Sequence, residues 1–380
     1  MYTLFDVNYH DSYMKRESFS FSKFIKSTFK VFLFLFKSIF RDFFCPKLKL
    51  KNLIFFYTTD NQRKTLKPLS SYLSNWQFVS FTSRENHIMV LPGVLLSFLF
   101  LPLFLLRFFF NKNFKISLLN YIENFFYIDG LVIWFYILIK YNRSKMVIVS
   151  NDHIVWTRLF ITAAKLAKIK TVYLQHASVT PLFPKLDFDL SLLEGMDAIE
   201  KYNVDLNELN KSVFLIGMPK LDHYNIKISE NKGSLNVGIA LNLLDDKNIV
   251  KTLVNELVGD DMIGFITIRL HPRDNNTAFL NNFDNLSKIK ISDKFESSFQ
   301  FLNKIDVCIS GETSIHLESV LVNREVIYYD FNSPLSDHYG YIKNDLIKYT
   351  ANSPEEVSRL LRIIEINKDI RIRAKRYVHT

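Results

Sequence analysis

Two short segments carry side chains suited to holding a phosphorylated nucleotide. Leu270-His271-Pro272-Arg273-Asp274 directly follows the apolar run Gly264 to Arg269. An imidazole and a guanidinium are therefore expected at the carboxyl end of a strand, where open α/β sheets bind ligands, with Pro272 fixing the chain direction. A cationic pair at such an edge suits a phosphate. Ser310-Gly311-Glu312-Thr313-Ser314 follows a second run, Asp306 to Ile309, and opens a helical pattern over Thr313 to Val322. Hydroxyls and free backbone N–H groups at a helix start form an anion site, and Gly311 permits close approach of a ligand. Ser314 and Glu318 are four apart and share a helical face, so Glu318 is placed to accept hydrogen bonds from ribose hydroxyls while the helix start holds phosphate. The competing reading is a capped helix with a surface glutamate.

A second group of polar loops lies upstream. Ser150-Asn151-Asp152-His153, Gln175-His176 with the residues up to Pro181, and Glu194-Gly195 each close an apolar run, respectively Met146 to Val149, Thr171 to Leu174 and Phe188 to Leu193. In a parallel sheet these three loops converge on one edge. Asp187-Phe188-Asp189 matches the Asp-x-Asp pattern by which carboxylates hold a divalent cation. Its alternation with Leu186, Phe188, Leu190 and Leu192 instead reads as the exposed face of a strand, and no metal is expected.

The elements that must position these groups follow from periodicity. From Lys145 onward short apolar strands alternate with amphipathic helices, the pattern of a parallel sheet with crossover helices. Helices are expected over Ile154 to Ile169, Asn248 to Val258 and Ser297 to Asn303, and strands over Val213 to Ile216, Asn236 to Ala240, Ile289 to Ile291 and Glu325 to Tyr329. Pro354-Glu355-Glu356 opens a last helix with Pro and acids in its first turn. Asn225 to Ser234 is polar, aperiodic and contains Gly233, so the boundary is placed there: an N-terminal domain over 1–230 and a C-terminal domain over 235–380 that carries both of the candidate phosphate-binding segments. At 380 residues two domains are expected in any case, because single cores stop growing near about 250–300 residues.

Composition narrows the setting. Cys45 and Cys308 are far apart and follow no ligand spacing, which argues against a disulfide framework or a zinc site and fits a reducing, cytoplasmic compartment. Of the net charge of +10, residues 15–51 carry ten Lys/Arg against Glu17 and Asp42, a local balance of +8. These bases are interleaved with Phe at ten positions from Phe19 to Phe44, a mixture that suits an anionic bilayer surface; the alternative is a helical pair covering a core with Lys stems lying along it. Nucleic acid is not expected as a partner, because no polar reading face accompanies the bases. Ile88 to Leu106 is a second apolar stretch, nineteen residues without a charge, and 88–110 is read with 15–51 as membrane-associating. The stretch is read as a single span, which Pro92, Gly93 and Pro102 oppose, a re-entrant or interfacial hairpin, or a helix buried in the fold, with Arg107, Lys112 and Lys115 keeping their side cytoplasmic in each case.

His271-Pro272 and the Ser310 to Glu318 segment resemble motifs of bacterial capsule and lipopolysaccharide glycosyltransferases that use CMP-activated acidic sugars, the group of polysialyltransferases and Kdo and pseudaminic acid transferases. The Gln175-His176 loop, Phe188-Asp189 and Leu193-Glu194-Gly195 look like the same broad group, and the resemblance covers roughly residues 146–330. It implies a GT-B fold of two Rossmann-like domains facing a cleft, and an inverting transfer from a CMP-sugar to a lipid-linked or oligosaccharide acceptor at the inner membrane face. No metal or other cofactor is implied. His271, Pro272, Arg273, Ser310, Glu312, Thr313, Ser314 and Glu318 would hold the donor. The base would be an acidic residue of the N-terminal domain, with Asp152 the candidate, His176 beside it, and His153 and Glu194 as competitors; Asp152 as a simple helix cap is the bland alternative. The same motifs occur in CDP-glycerol and CDP-ribitol phosphotransferases of teichoic-acid synthesis, where His-Gly is typical and this chain has His176-Ala177. A non-catalytic membrane scaffold with degenerate sites is the third reading.

Overall fold

The computed structural model describes residues 19–45, 49–110, 116–181, 183–222, 233–243, 245–272, 274, 277–283, 287–331, 337–366 and 369–379. The chain divides into two compact units, Met1–Lys220 and Leu221–Thr380. Most of the expected boundary segment, 225–232, lies outside the described residues, as do Lys15, Arg16, Lys47, Lys112, Lys115 and Arg273.

The first unit contains a six-stranded parallel sheet in the order β2-β1-β3-β4-β5-β6. Its strands are β1 (Leu53–Phe56), β2 (Trp76–Val79), β3 (Met146–Val149), β4 (Lys170–Leu174), β5 (Leu190–Leu193) and β6 (Val213–Leu215). Side chains alternate between two cores: Ile54, Phe56, Val147 and Val149 enter one cluster, while Phe55 and Ile148 enter the other. A sheet covered on both faces explains why these strands read as unbroken apolar runs. The sheet starts at Leu53, well before the alternation expected from Lys145. The helix α2 (Asp60–Ser70) that links β1 to β2 is polar in sequence, and Gln62 and Thr65 are among its buried residues, so it lacks the apolar stripe by which a crossover helix is recognised.

The other helices of this unit are α1 (Phe21–Phe44), α3 (Leu91–Leu99), α4 (Leu101–Phe110), α5 (Ile128–Tyr141), α6 (Val155–Leu166) and α7 (Met196–Lys201). Residues 21–44 form one continuous helix and not a pair. The stretch from Ile88 is split at Phe100 into α3 and α4, with Pro92 in the first turn of α3. Neither piece, at nine and ten residues, spans a ~30 Å hydrocarbon layer. Leu119–Tyr141 is long and apolar enough to cross a membrane by composition, yet its C-terminal part is α5, whose Leu131, Val132, Phe135 and Ile139 are buried in the core. A Cβ on Gly130 would lie 2.2 Å from the Gly93 carbonyl oxygen, so α5 and α3 cross with their backbones in contact.

The second unit has its own six-stranded parallel sheet, ordered β12-β11-β10-β7-β8-β9. Its strands are β7 (Leu235–Ala240), β8 (Ile263–Arg269), β9 (Ile289–Ile291), β10 (Val307–Ser310), β11 (Glu325–Tyr329) and β12 (Tyr349–Ala351). The helices are α8 (Lys247–Val258), α9 (Ser298–Leu302), α10 (Ile315–Leu321) and α11 (Pro354–Ile363). Val250, Leu253, Val254 and Leu257 of α8 pack with Val237, Ile239, Ile266 and Ile268 of the sheet. Ser297 and Gln300 close a reciprocal capping box at α9, and Ser353 caps α11, whose first turn holds Pro354 and two glutamates as the sequence pattern anticipates.

Candidate functional site

In the first unit the carboxyl ends of β3 and β4 bring together three of the expected residues. Asn151, and not Asp152, ties the loop to the start of α6: its Oδ1 accepts from Ile154 N at 2.7 Å and from His153 N at 3.2 Å. Asp152 is thereby released from capping and turned inward, where it is buried. One carboxylate oxygen accepts from the Tyr202 hydroxyl at 2.7 Å and the other lies 2.9 Å from His153 Nδ1. Tyr173 continues the chain, with its hydroxyl 3.2 Å from that of Tyr202. Burial first, and the Asp152 charge second, raise both phenols well above 10, so they act as hydrogen-bond donors and hold their protons. His153 keeps its side chain 19% exposed and packs on Phe183 at a centroid distance of 4.3 Å.

His176 belongs to the same electrostatic neighbourhood. Its imidazole is pushed down to about 4, chiefly by burial and then by His153 and Lys220, against a smaller upward pull from Asp152, and its Nδ1 has no hydrogen-bond partner. It is therefore neutral at pH 7. Glu194 is buried and engaged with Gln175: the Gln175 amide nitrogen donates to it at 3.3 Å, and Glu194 N donates back at 2.9 Å. Asp187 and Asp189 lie just before β5, paired with Lys165 and with Thr171 and Lys170. Burial tends to raise the Asp189 pKa, but the Thr171 and Lys170 hydrogen bonds outweigh it and the net shift is downward. Among the described residues no cluster of three or more His, Cys, Asp or Glu is arranged for a metal ion.

In the second unit the chain proceeds from β7 to β8 and β9 on one side and to β10, β11 and β12 on the other. The loops after β7 and β10 therefore flank a topological switch point, the usual ligand position in such sheets. They are joined there: Asn242 Nδ2 donates to Glu312 O at 2.8 Å, and the Ser310 hydroxyl donates to Ala240 O at 2.6 Å. Ser310 is fully buried, so its single donor is spent within the sheet and not on a ligand. Glu312 accepts from Tyr339 N at 3.2 Å and faces His338 at 3.4 Å. Thr313 and Ser314 are half-buried. The helix begins at Ile315, two residues later than the expected Thr313, and has seven residues, with Ser314 at its N-cap making no side-chain capping bond. Glu318 is buried on α10. His271 is half-buried and its carbonyl accepts from Asp274 N at 2.8 Å, while Pro272 is exposed.

Three residues of this edge escape sequence reading. Asn242 and Asp245 follow β7, and Asp245 is raised to about 6, mainly by burial and also by Asp330, against the Asn242 backbone bond and Lys247. Lys247 pairs with Asp274 at 3.0 Å. The available signal was Asn242, Asp245 and Asp246 soon after an apolar run, a cue interrupted by Leu243 and Leu244. His316 is the third: it is fully buried, with Nε2 2.8 Å from Gly311 O.

No protein-family model matches the chain, and no curated protein matches it in sequence. Solved structures match it over most of its length. UDP-GlcNAc 2-epimerase from Methanocaldococcus jannaschii in complex with UDP-GlcNAc and UDP aligns with TM-score 0.51 and 12% identity, covering 87% of this chain and 98% of that one. The Neisseria meningitidis UDP-GlcNAc 2-epimerase bound to UDP-GlcNAc gives 0.52 and 12%, with 86% and 95% covered. The S. aureus MnaA–UDP co-structure gives 0.52 and 12%, with 87% and 91% covered. The fold is GT-B. Two parallel sheets with helices are what the sequence pattern and the motif resemblance lead one to expect, and β1, β2 and β12 add to the expected strands.

Proposed function

We propose that the chain is an inverting, metal-independent glycosyltransferase of capsule or lipopolysaccharide synthesis. It would move an acidic sugar of the Kdo, sialic or pseudaminic type from its CMP donor to a lipid-linked or oligosaccharide acceptor at the cytoplasmic membrane face. The observation that carries this reading is the Asp152–His153 pair, held by Tyr202 at the carboxyl edge of the first sheet. A histidine that donates from Nδ1 to a buried carboxylate keeps Nε2 as its basic atom. His153 is then the general base, and Asp152, the acid proposed for that role from sequence, positions it. In the transfer, Nε2 takes the acceptor hydroxyl proton as the acceptor oxygen bonds to the anomeric carbon. The bond from that carbon to the phosphate oxygen breaks, and CMP leaves with the electron pair. Asp152 stabilises the imidazolium formed, and neutral His176 offers a hydrogen bond to orient the acceptor.

The donor is assigned to the switch point of the second sheet, with Asn242, His271, Glu312, Thr313, Ser314 and Glu318 around it. Pro272 and Arg273 enter on the motif alone. The cytidine base is supported by the motif resemblance, and the use of a nucleotide sugar by structural neighbours whose complexes contain UDP or UDP-GlcNAc.

The test is release of CMP from CMP-Kdo, CMP-sialic acid and CMP-pseudaminic acid by purified protein, with and without EDTA. Release from one donor, undiminished by EDTA, is expected. His153→Gln should lower kcat by about 10²–10⁴-fold, with Tyr202→Phe retaining more activity than Asp152→Asn. Absence of both CMP release and thermal protection by CMP refutes the donor assignment; protection by CDP-glycerol or CDP-ribitol instead would make the enzyme a phosphotransferase.

A further inference from the structure

Helix α1 is built inside out for a soluble protein. Ser27, Val31, Ser38 and Asp42, spaced four, seven and four apart, form the stripe that is buried. That stripe is held largely by polar contacts. Ser27 bonds Glu123, Val31 O accepts from the Tyr127 hydroxyl, and buried Asp42 binds His87 Nε2 at 2.6 Å. Asp42 also accepts from Val90 N at 2.9 Å and Leu91 N at 2.6 Å, anchoring α1 to the first turn of α3.

Phe34 and Leu35 pack against the core, but most of the other large apolar residues point the other way. Phe21, Phe29, Phe32, Phe36, Phe40 and Phe43 follow one another at three, four or eight residues, and their exposure runs from 48% at Phe32 to 81% at Phe43. At about 3.6 residues per turn they form one outward stripe. Between this stripe and the buried one lies a third, of Lys23, Lys26, Lys30, Lys37 and Arg41, whose four lysines are all exposed. The helix has one acid, Asp42, and that acid is consumed inside the protein, so the charge it shows to solvent is basic throughout. On α3 and α4, the first of which α1 anchors, Leu95, Leu99, Leu103, Leu105 and Leu106 are also exposed.

We propose that α1 lies in the plane of an anionic lipid bilayer, its phenylalanine stripe in the acyl boundary and its lysine stripe among acidic headgroups. An apolar face beside an all-basic flank is complementary to such a surface. It is poorly suited to a second copy of itself, because symmetric pairing sets two basic stripes side by side. Neither α1 nor α3–α4 crosses the bilayer. The proposal does not depend on the reaction assigned above.

The experiment is flotation of the full chain with vesicles of phosphatidylcholine alone or mixed with phosphatidylglycerol, together with light scattering in their absence. Wild type should float with the mixed vesicles and lose binding as salt rises, and each Lys→Gln at 23, 26 or 37 should lower partitioning about fivefold. The double variant Phe29→Ser/Phe36→Ser should abolish flotation and leave the thermal transition in place, since both rings are outside the core. Flotation that is indifferent to lipid charge and to these substitutions overturns the proposal. So does a dimer that dissociates on the same Phe substitutions while wild type fails to float, which would assign the face to a second copy.

Discussion

His316 provides a quantitative test of the second unit's interior. It is fully buried on α10, its Nε2 donates to Gly311 O and its Nδ1 has no partner. Protonation would place a charge in the interior, and burial accordingly depresses the imidazole from 6.5 to about 4. At about 1.36 kcal/mol per pKa unit, this difference corresponds to about 3 kcal/mol in full. Because the folded pKa lies below the unfolded one, the stabilisation is complete above pH 6.5 and is lost as pH falls towards 4. Between pH 7 and pH 5 the loss is about 2 kcal/mol. For a unit the size of Leu221–Thr380 that lowers Tm by about 4–8 °C. The measurement is the change in Tm from pH 7 to pH 5 for wild type and for His316→Gln, which keeps a donor for Gly311 O. His176 titrates in the same range but is common to both proteins and cancels in the difference. An equal pH response in wild type and variant would refute the assignment of a neutral, buried His316.

Two further outcomes follow from the same coordinates. Gly130→Ala forces a methyl to 2.2 Å from Gly93 O and 2.4 Å from Ser97 N, so α3 and α5 must separate. A loss of about 3 kcal/mol is expected in urea unfolding, and a variant as stable as wild type would contradict the close crossing. Asp245 is raised from 3.8 to about 6, so its ionised form costs stability that appears as pH rises through 4 to 6. Discounted for partial exposure, that cost is about 2 kcal/mol at pH 7. Asp245→Asn should therefore raise Tm at pH 7 and leave it unchanged at pH 4, and an identical effect at both pH values would show that the carboxylate is not strained.

Much of the fold is legible in the chain because a strand covered on both faces is an unbroken apolar run, and from Met146 to Tyr329 each such run is a strand within two residues of its expected ends. Before Met146 that signal fails. β1 and β2 are four residues each, they are joined by a polar helix, and they sit amid aromatic segments that are apolar for a different reason. The site divides along the same line. Loops closing strands are visible as polar breaks, so Asp152, His153, His176 and Thr313 to Ser314 are found by position. The role of each depends on partners remote in sequence. Asp152 is buried because Tyr202, fifty residues away, and Asn151 together turn it inward. Ser310 is withdrawn from ligand binding by a carbonyl seventy residues earlier.

The amino-acid sequence alone determined that this is a two-domain parallel α/β protein with polar loops at its strand ends and a basic, aromatic N-terminal region, because those properties reside in local composition and period. Which face of α1 turns inward was decided only by the tertiary structure. Glu123, Tyr127, His87 and the start of α3 supply partners for Ser27, the Val31 carbonyl and Asp42, and a buried carboxylate without such partners is too costly to keep. The polar stripe therefore takes the interior, and most of the phenylalanines are left outside.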